Sequence, residues 1–300
     1  MKAHKRFESF DGTRISYRVW GDLDATPPEK ATPLLFCSGI GCNDVYWEEI
    51  APDVARERAV VTWDYPYHGD SGPPADPRAI SIPALARHAY EITLDLGWDK
   101  VAIGGHSMGV QVAFEHYREY PERTAAVIAI AGPFRHTVGA LYGTNLGVGV
   151  LGLLRAAAKA QPDLMTIVWR TALDPKLADT VGRVGGLIGN APKGVMERYF
   201  RHIAGVDLPG LLDMFKKGQE HTVDDILEKI DVPTLVIHGT ADVMTPFYLA
   251  EELAERVPGA RLVRIEGGAH TLPAEDPLRI SDEINALLSG SPKKGGRRYR

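Results

Sequence analysis

Six strand-length, largely apolar runs, separated by stretches with helical spacing, constrain this sequence more than any other feature. They are PLLFCS (33–38), AVVTWD (59–64), KVAIGG (100–105), TAAVIAIAG (124–132), PTLVIHG (233–239) and ARLVRIEG (260–267). Runs of this kind lack the polar-apolar alternation of a strand with one wet face, as strands buried on both faces do. Helices are expected near 47–58, 82–96, 108–119, 246–256 and 277–288, one after nearly every strand. Buried strands alternating with helices predict a mostly parallel sheet covered on both faces, the α/β class. Arg14 to Trp20 (RISYRVW) does alternate, so an antiparallel strand in the edge region is expected there.

The rhythm stops between Gly132 and the strand at Pro233. Positions 133–218 hold helical patterns punctuated by glycine, with Trp169, Tyr142, Tyr199, Phe200 and Phe215 adding bulk, and no comparable strand. A segment that long is too large for a simple connection. The expected organisation is therefore one core from 1–132 and 219–290, a helical cap at 133–218, and a disordered basic tail at 291–300.

Composition excludes several alternatives. A formal net charge of −5 argues against a nucleic-acid surface as the main purpose. The N-terminal stretch is charged and lacks the apolar centre of a signal peptide, and no run of 18 apolar residues occurs. Cys37 and Cys42 lie too close together for a useful disulfide, so reduced thiols are expected. The expectation is a soluble, cytoplasmic protein. The SPKKGGRRYR tail reads as solvated chain.

The chemistry starts at Gly105-His106-Ser107-Met108-Gly109, which follows a buried strand and opens a helix. Turning from strand to helix within so few residues strains the serine backbone and requires Cβ-free neighbours. Its Oγ then stands at the carboxyl end of the sheet, beside the positive end of a helix. An alcohol needs a base to become nucleophilic. Among ten histidines, His270 in EGGAH is best placed, just past the last strand where a loop returns over the same sheet edge. The base in turn needs a carboxylate to set its tautomer. Asp242 follows strand 233–239 and precedes His270 by 28 residues; Asp276, which follows His270 at an expected helix cap, is the rival. Two N–H donors are needed for an oxyanion: Met108, after the serine, and Ile40, from the Ser38-Gly39-Ile40-Gly41 loop. No cofactor and no metal are implied.

On these motifs, GHSMG (105–109), GTADVMTP (239–246) and GGAH (267–270), the chain resembles the α/β-hydrolase superfamily over nearly its whole length. It is most similar to capped bacterial esterases, meta-cleavage-product hydrolases and cofactor-free haloperoxidases. A fourth motif, WDYPYHGDSG (63–72), is similar to the family's D-x-R-G-x-G-x-S turn at Asp64, Gly69 and Ser71. It departs at Pro66 and Tyr67, where arginine and glycine are usual, and Ser38 stands where the oxyanion loop usually begins with histidine. His68 reads as turn-stabilising, with pocket lining as the alternative, Cys42 as an inert small side chain, with a redox-sensitive thiol as the alternative, and Trp169 and Met165 as cap packing or substrate contacts.

The resemblance implies a serine carboxylesterase with Ser107, His270 and Asp242 as its triad and Ile40 and Met108 as its oxyanion hole. Carbon–carbon hydrolysis, thioester or lactone cleavage and perhydrolysis on the same triad remain open, as does a hydrolase-fold ligand receptor without turnover. The expected partner is a small-molecule ester, with no nucleic acid and no membrane, and with a homodimer left open.

Overall fold

The computed structural model describes residues 2–21, 31–77, 80–135 and 146–290. The basic tail and Tyr142 lie outside these. Eight strands form one sheet in the order β1-β2-β4-β3-β5-β6-β7-β8. β1 (Lys2–Glu8) and β2 (Arg14–Trp20) are antiparallel to their neighbours. β3 (Leu34–Cys37), β4 (Val60–Asp64), β5 (Val101–His106), β6 (Thr124–Ile130), β7 (Thr234–Gly239) and β8 (Arg261–Ile265) run parallel. The alternating strand expected in the edge region is second from the edge and antiparallel to both neighbours, with β1 paired outside it through all seven residues.

Every residue of β3, β4, β5 and β7 is buried, which is why these strands carry side chains without polar alternation. Helices cover both faces. One face packs α2 (Ile82–Asp95), α3 (Met108–Glu119) and α9 (Tyr248–Arg256) over Val61, Ile103, Val127 and Val236. The other packs α1 (Ile50–Val54) and, at the chain's end, α11 (Pro277–Leu288) over Leu34, Phe36, Ile128 and Leu235. The helix expected over 47–58 is only five residues long, with turns on either side of it and a 3-10 turn at Asp44–Tyr46 before them.

Between β6 and β7 the described residues hold α4 (Leu146–Ala160), α5 (Pro162–Ala172), α6 (Pro175–Val184), α7 (Lys193–Ile203) and α8 (Leu208–Glu220). α6, α7 and α8 share a small core around Ala178, Met196, Phe200, Ile203 and Leu211, against which Trp169 of α5 packs and which also takes in Cys42, Val45 and Tyr46 from the loop after β3. Polar contacts fasten them as well: Gln111 Nε2 on α3 donates to the Gly218 carbonyl at 2.9 Å, and Arg198 pairs with Glu48 at 2.8 Å. No helix among the described residues is long and apolar enough to cross a membrane.

Candidate active site

The site is assembled along the edge where the parallel strands β3, β5, β6, β7 and β8 end. β5 lies between β3 and β6, so the residue after it emerges near the middle of the sheet edge. That residue is Ser107, with φ 53° and ψ −124°, a left-handed conformation that costs on the order of 1–3 kcal/mol for a residue with a Cβ. Tertiary packing imposes it. A Cβ on Gly105 would lie 2.0 Å from the Gly109 carbonyl oxygen, and one on Gly109 would lie 2.1 Å from that of Cys37. The strand and the helix it feeds therefore touch backbone to backbone, and only glycine fits at both places.

Asp242 is held in the loop after β7 and His270 in the loop after β8. His270 Nε2 is 2.9 Å from Ser107 Oγ, and His270 Nδ1 is 2.9 Å from Asp242 Oδ2. A carboxylate only accepts, so Nδ1 carries the proton and Nε2 offers its lone pair to the serine hydroxyl. Asp242 Oδ1 accepts the backbone N–H groups of Met244 and Thr245 at 2.8 and 2.9 Å, and Oδ2 accepts the Thr245 hydroxyl at 2.7 Å. Burial alone would raise this carboxyl. The charge of His270 and the hydrogen bonds from His270 and Thr245 outweigh it and bring the group down to about 2. Asp276 stands at the N-cap position of α11, where its side chain makes no capping hydrogen bond.

A small cavity opens over Ser107, about 50 Å³ in volume, lined among others by Ile40, Met108, Phe215, Met244 and His270. Ile40 and Met108, expected as oxyanion donors, both reach it. Three further lining residues, Gln111, Phe215 and Gln219, belong to α3 and α8 and carry no local motif. Trp169 and Met165 do not line it. Trp169 Nε1 donates to the Ile203 carbonyl at 3.1 Å, and both side chains pack against the Ala158, Leu208 and Leu212 cluster.

The departures from the family pattern have visible replacements. Arginine is usual at position 66, but here Arg18 comes from β2, with Nη1 3.0 Å from Asp64 Oδ2 and Nε 3.2 Å from Asp44 Oδ2. Tyr67 takes the left-handed backbone that glycine would take, φ 69°, and its ring lies against Gly210 of α8. Ser38 accepts the Trp47 indole N–H at 2.9 Å. Both cysteines are free and buried, and burial pushes the Cys37 thiol up to about 12 and Cys42 further, so neither forms a ready thiolate.

Sheet order, elbow and helical covering define a class. The family model described as alpha/beta hydrolase fold matches residues 32–277, and the chain belongs to that family. A protein named carbamate hydrolase RutD, from Pseudomonas savastanoi pv. phaseolicola, is 28% identical over 260 residues, covering 85% of this chain and 93% of its own. Among solved structures, an esterase from Thermogutta terrifontis superposes with a TM-score of 0.75 at 20% identity, covering 96% of this chain and 98% of that one. An enol-lactonase from Burkholderia xenovorans gives 0.76 at 19%, covering 95% and 100%. At these identities the structural likeness speaks for the fold alone.

Proposed function

We propose that this chain is a serine hydrolase that cleaves carboxylic esters of small, largely apolar acyl groups, with helices α4–α8 serving as a cap over the site. The observation that carries the reading is the Ser107–His270–Asp242 chain of hydrogen bonds, 2.9 Å at each step, ending on a strained and cavity-facing serine.

Ser107 Oγ attacks the ester carbonyl while His270 Nε2 takes its proton. The carbonyl oxygen becomes an oxyanion facing the N–H groups of Ile40 and Met108. Asp242 stabilises the imidazolium and keeps the ring oriented. Collapse of the intermediate expels the alcohol, which takes the proton from His270. Water, deprotonated by the same nitrogen, then releases the acid and restores Ser107. No step draws on a cofactor.

Cleavage of a carbamate is a second reading, supported by the name of the Pseudomonas relative. It uses the same residues in the same roles. The test is labelling with a fluorophosphonate, followed by turnover on a panel of esters, carbamates, lactones and vinylogous diketones. Labelling at Ser107 alone and ester turnover, both lost in Ser107→Ala, are expected. A folded Ser107→Ala protein with substantial turnover would overturn the assignment, since loss of such a group costs roughly 10⁴–10⁶ in kcat.

A further inference from the structure

The loop that carries Ile40 is short and rich in glycine, and glycine-rich loops do not hold a donor still without help. Its conformation is a tight turn: Cys42 N–H donates to the Gly39 carbonyl at 3.2 Å, and Gly41 has φ 72°. A left-handed third residue belongs to a type II turn, which differs from type I by a flip of the central peptide, here Ile40–Gly41. The orientation of the Gly41 N–H therefore reports which turn is present.

That N–H is captured by a side chain 27 residues away. Gly41 N–H donates to His68 Nε2 at 2.9 Å, and His68 Nδ1 lies 2.9 Å from the Pro66 carbonyl oxygen. The pairing fixes the tautomer: a carbonyl only accepts, so Nδ1 holds the proton, and a backbone N–H only donates, so Nε2 is bare. His68 is completely buried, and its turn is tied down independently. Asp64 Oδ2 accepts the Asp70 N–H at 3.0 Å, Ser71 Oγ donates to the Asp64 carbonyl at 2.6 Å, and His68 N–H donates to the Tyr65 carbonyl at 2.9 Å. In the flipped turn, the Ile40 carbonyl would face the Nε2 lone pair and be repelled.

Resting on the proposed hydrolase reading, we propose that His68 is a positioning residue. It anchors the Gly41 N–H and so holds in place the tight turn whose preceding peptide, Gly39–Ile40, carries the Ile40 oxyanion donor.

The test compares His68→Phe, which keeps a ring but has no acceptor, with His68→Gln, whose side-chain oxygen can reach the Gly41 N–H. Ester kcat and KM, the second-order rate of Ser107 labelling by a fluorophosphonate, and thermal midpoint are measured for each. In His68→Phe, kcat and labelling rate are expected to fall together by about 10–10³-fold, as for loss of an oxyanion donor, with KM within about threefold. His68→Gln is expected to recover most of both. If the two variants are equally impaired, or if only KM or the melting midpoint moves, the ring merely fills space and the proposal falls. Wild-type kinetics in His68→Phe overturns it too. A wild type that labels at Ser107 yet cleaves no ester defeats the esterase reading alone, because the labelling rates still decide the role of His68.

Discussion

His106 Nε2 donates to the main-chain carbonyl of His270 at 2.9 Å. The residue before the elbow serine thus holds the loop that presents the imidazole to it. The His270 carbonyl only accepts, so the His106 proton is on Nε2 and Nδ1 is left buried without a partner. His106→Phe keeps the ring's volume beside Tyr46 and removes the donor. With the His270 loop less constrained, kcat should fall about 10–10²-fold while KM holds, since a displacement of about 1 Å at a reacting group costs that much. Steady-state kinetics at saturating ester decides it; an unchanged kcat would make the bond irrelevant to turnover.

The two carboxylates near His270 should separate sharply on mutation. Asp242→Asn leaves the Met244 and Thr245 N–H groups with an amide oxygen to bond. The amide N–H₂ then faces His270 Nδ1 and favours the wrong tautomer, for an expected loss of roughly 10⁴ in kcat. Asp276→Asn changes a residue at the start of α11 and should stay within about threefold of wild type. The reverse ranking, with both variants folded by circular dichroism, would remove Asp242 from the site.

Acid should destabilise the fold well before Asp242 is protonated. Burial pushes His68 down to about 4, burial and the neighbouring His270 push His106 to about 3, and burial with Arg123 nearby pushes His116 to about 3. Their folded-state values lie below the unfolded value of about 6.5, so the unfolded chain binds protons that the folded chain refuses. Stability is complete above about pH 6.5 and declines as pH falls toward about 4, by on the order of 1 kcal/mol per pH unit for each such residue. Asp242, also depressed, adds loss only below about pH 4. His116 packs at the far end of α3, with Nδ1 3.0 Å from Thr124 Oγ1. Urea unfolding of His116→Phe at pH 7 and pH 5 should therefore show a shallower pH dependence than wild type, whatever its absolute stability. An identical slope would mean that His116 is not neutral in the folded protein.

What the sequence makes legible is local. β3–β7 declare themselves because burial on both faces leaves runs dominated by apolar residues, with no polar-apolar alternation, and α3 and α11 begin and end where the helical spacing does. β1 is missed because Lys2, His4, Lys5 and Arg6 read as solvated chain; only its pairing with β2 makes a strand of it. Ser107, Asp242 and His270 each sit in a motif of a few residues directly after a strand. The supports do not: Arg18 reaches Asp64 across 46 positions, His106 reaches His270 across 164, and Gln111 reaches Gly218 across 107. Contacts of that range depend on sheet order and helix packing, and a lone histidine or glutamine carries no mark of its eventual partner. His68 had a visible place in a turn, yet its bond to Gly41 becomes apparent only when β3 and β4 are seen side by side.

Acyl-chain length should report the cavity directly. Its volume of about 50 Å³ is far below the several hundred Å³ usual for a drug-sized ligand, with room for only a few water molecules. Ile40, Met108, Pro133, Phe215 and Met244 make its walls mostly apolar, so a methylene that fits should gain up to about 0.8 kcal/mol, or roughly fourfold in kcat/KM. Phe215 comes from α8, which Gln111 and the Tyr67 ring tie to the core, so the roof resists expansion. For p-nitrophenyl esters, kcat/KM should rise from acetate to about butyrate and fall beyond it, with no jump where the longest ester passes its solubility limit. Phe215→Ala should move the optimum to longer chains, because it removes roof volume without touching Ser107 or His270. Activity that keeps climbing with chain length and surges as an emulsion forms would instead describe a lipase whose lid opens at an interface. Rapid cleavage of a vinylogous diketone with no ester turned over would transfer the same residues to carbon–carbon hydrolysis.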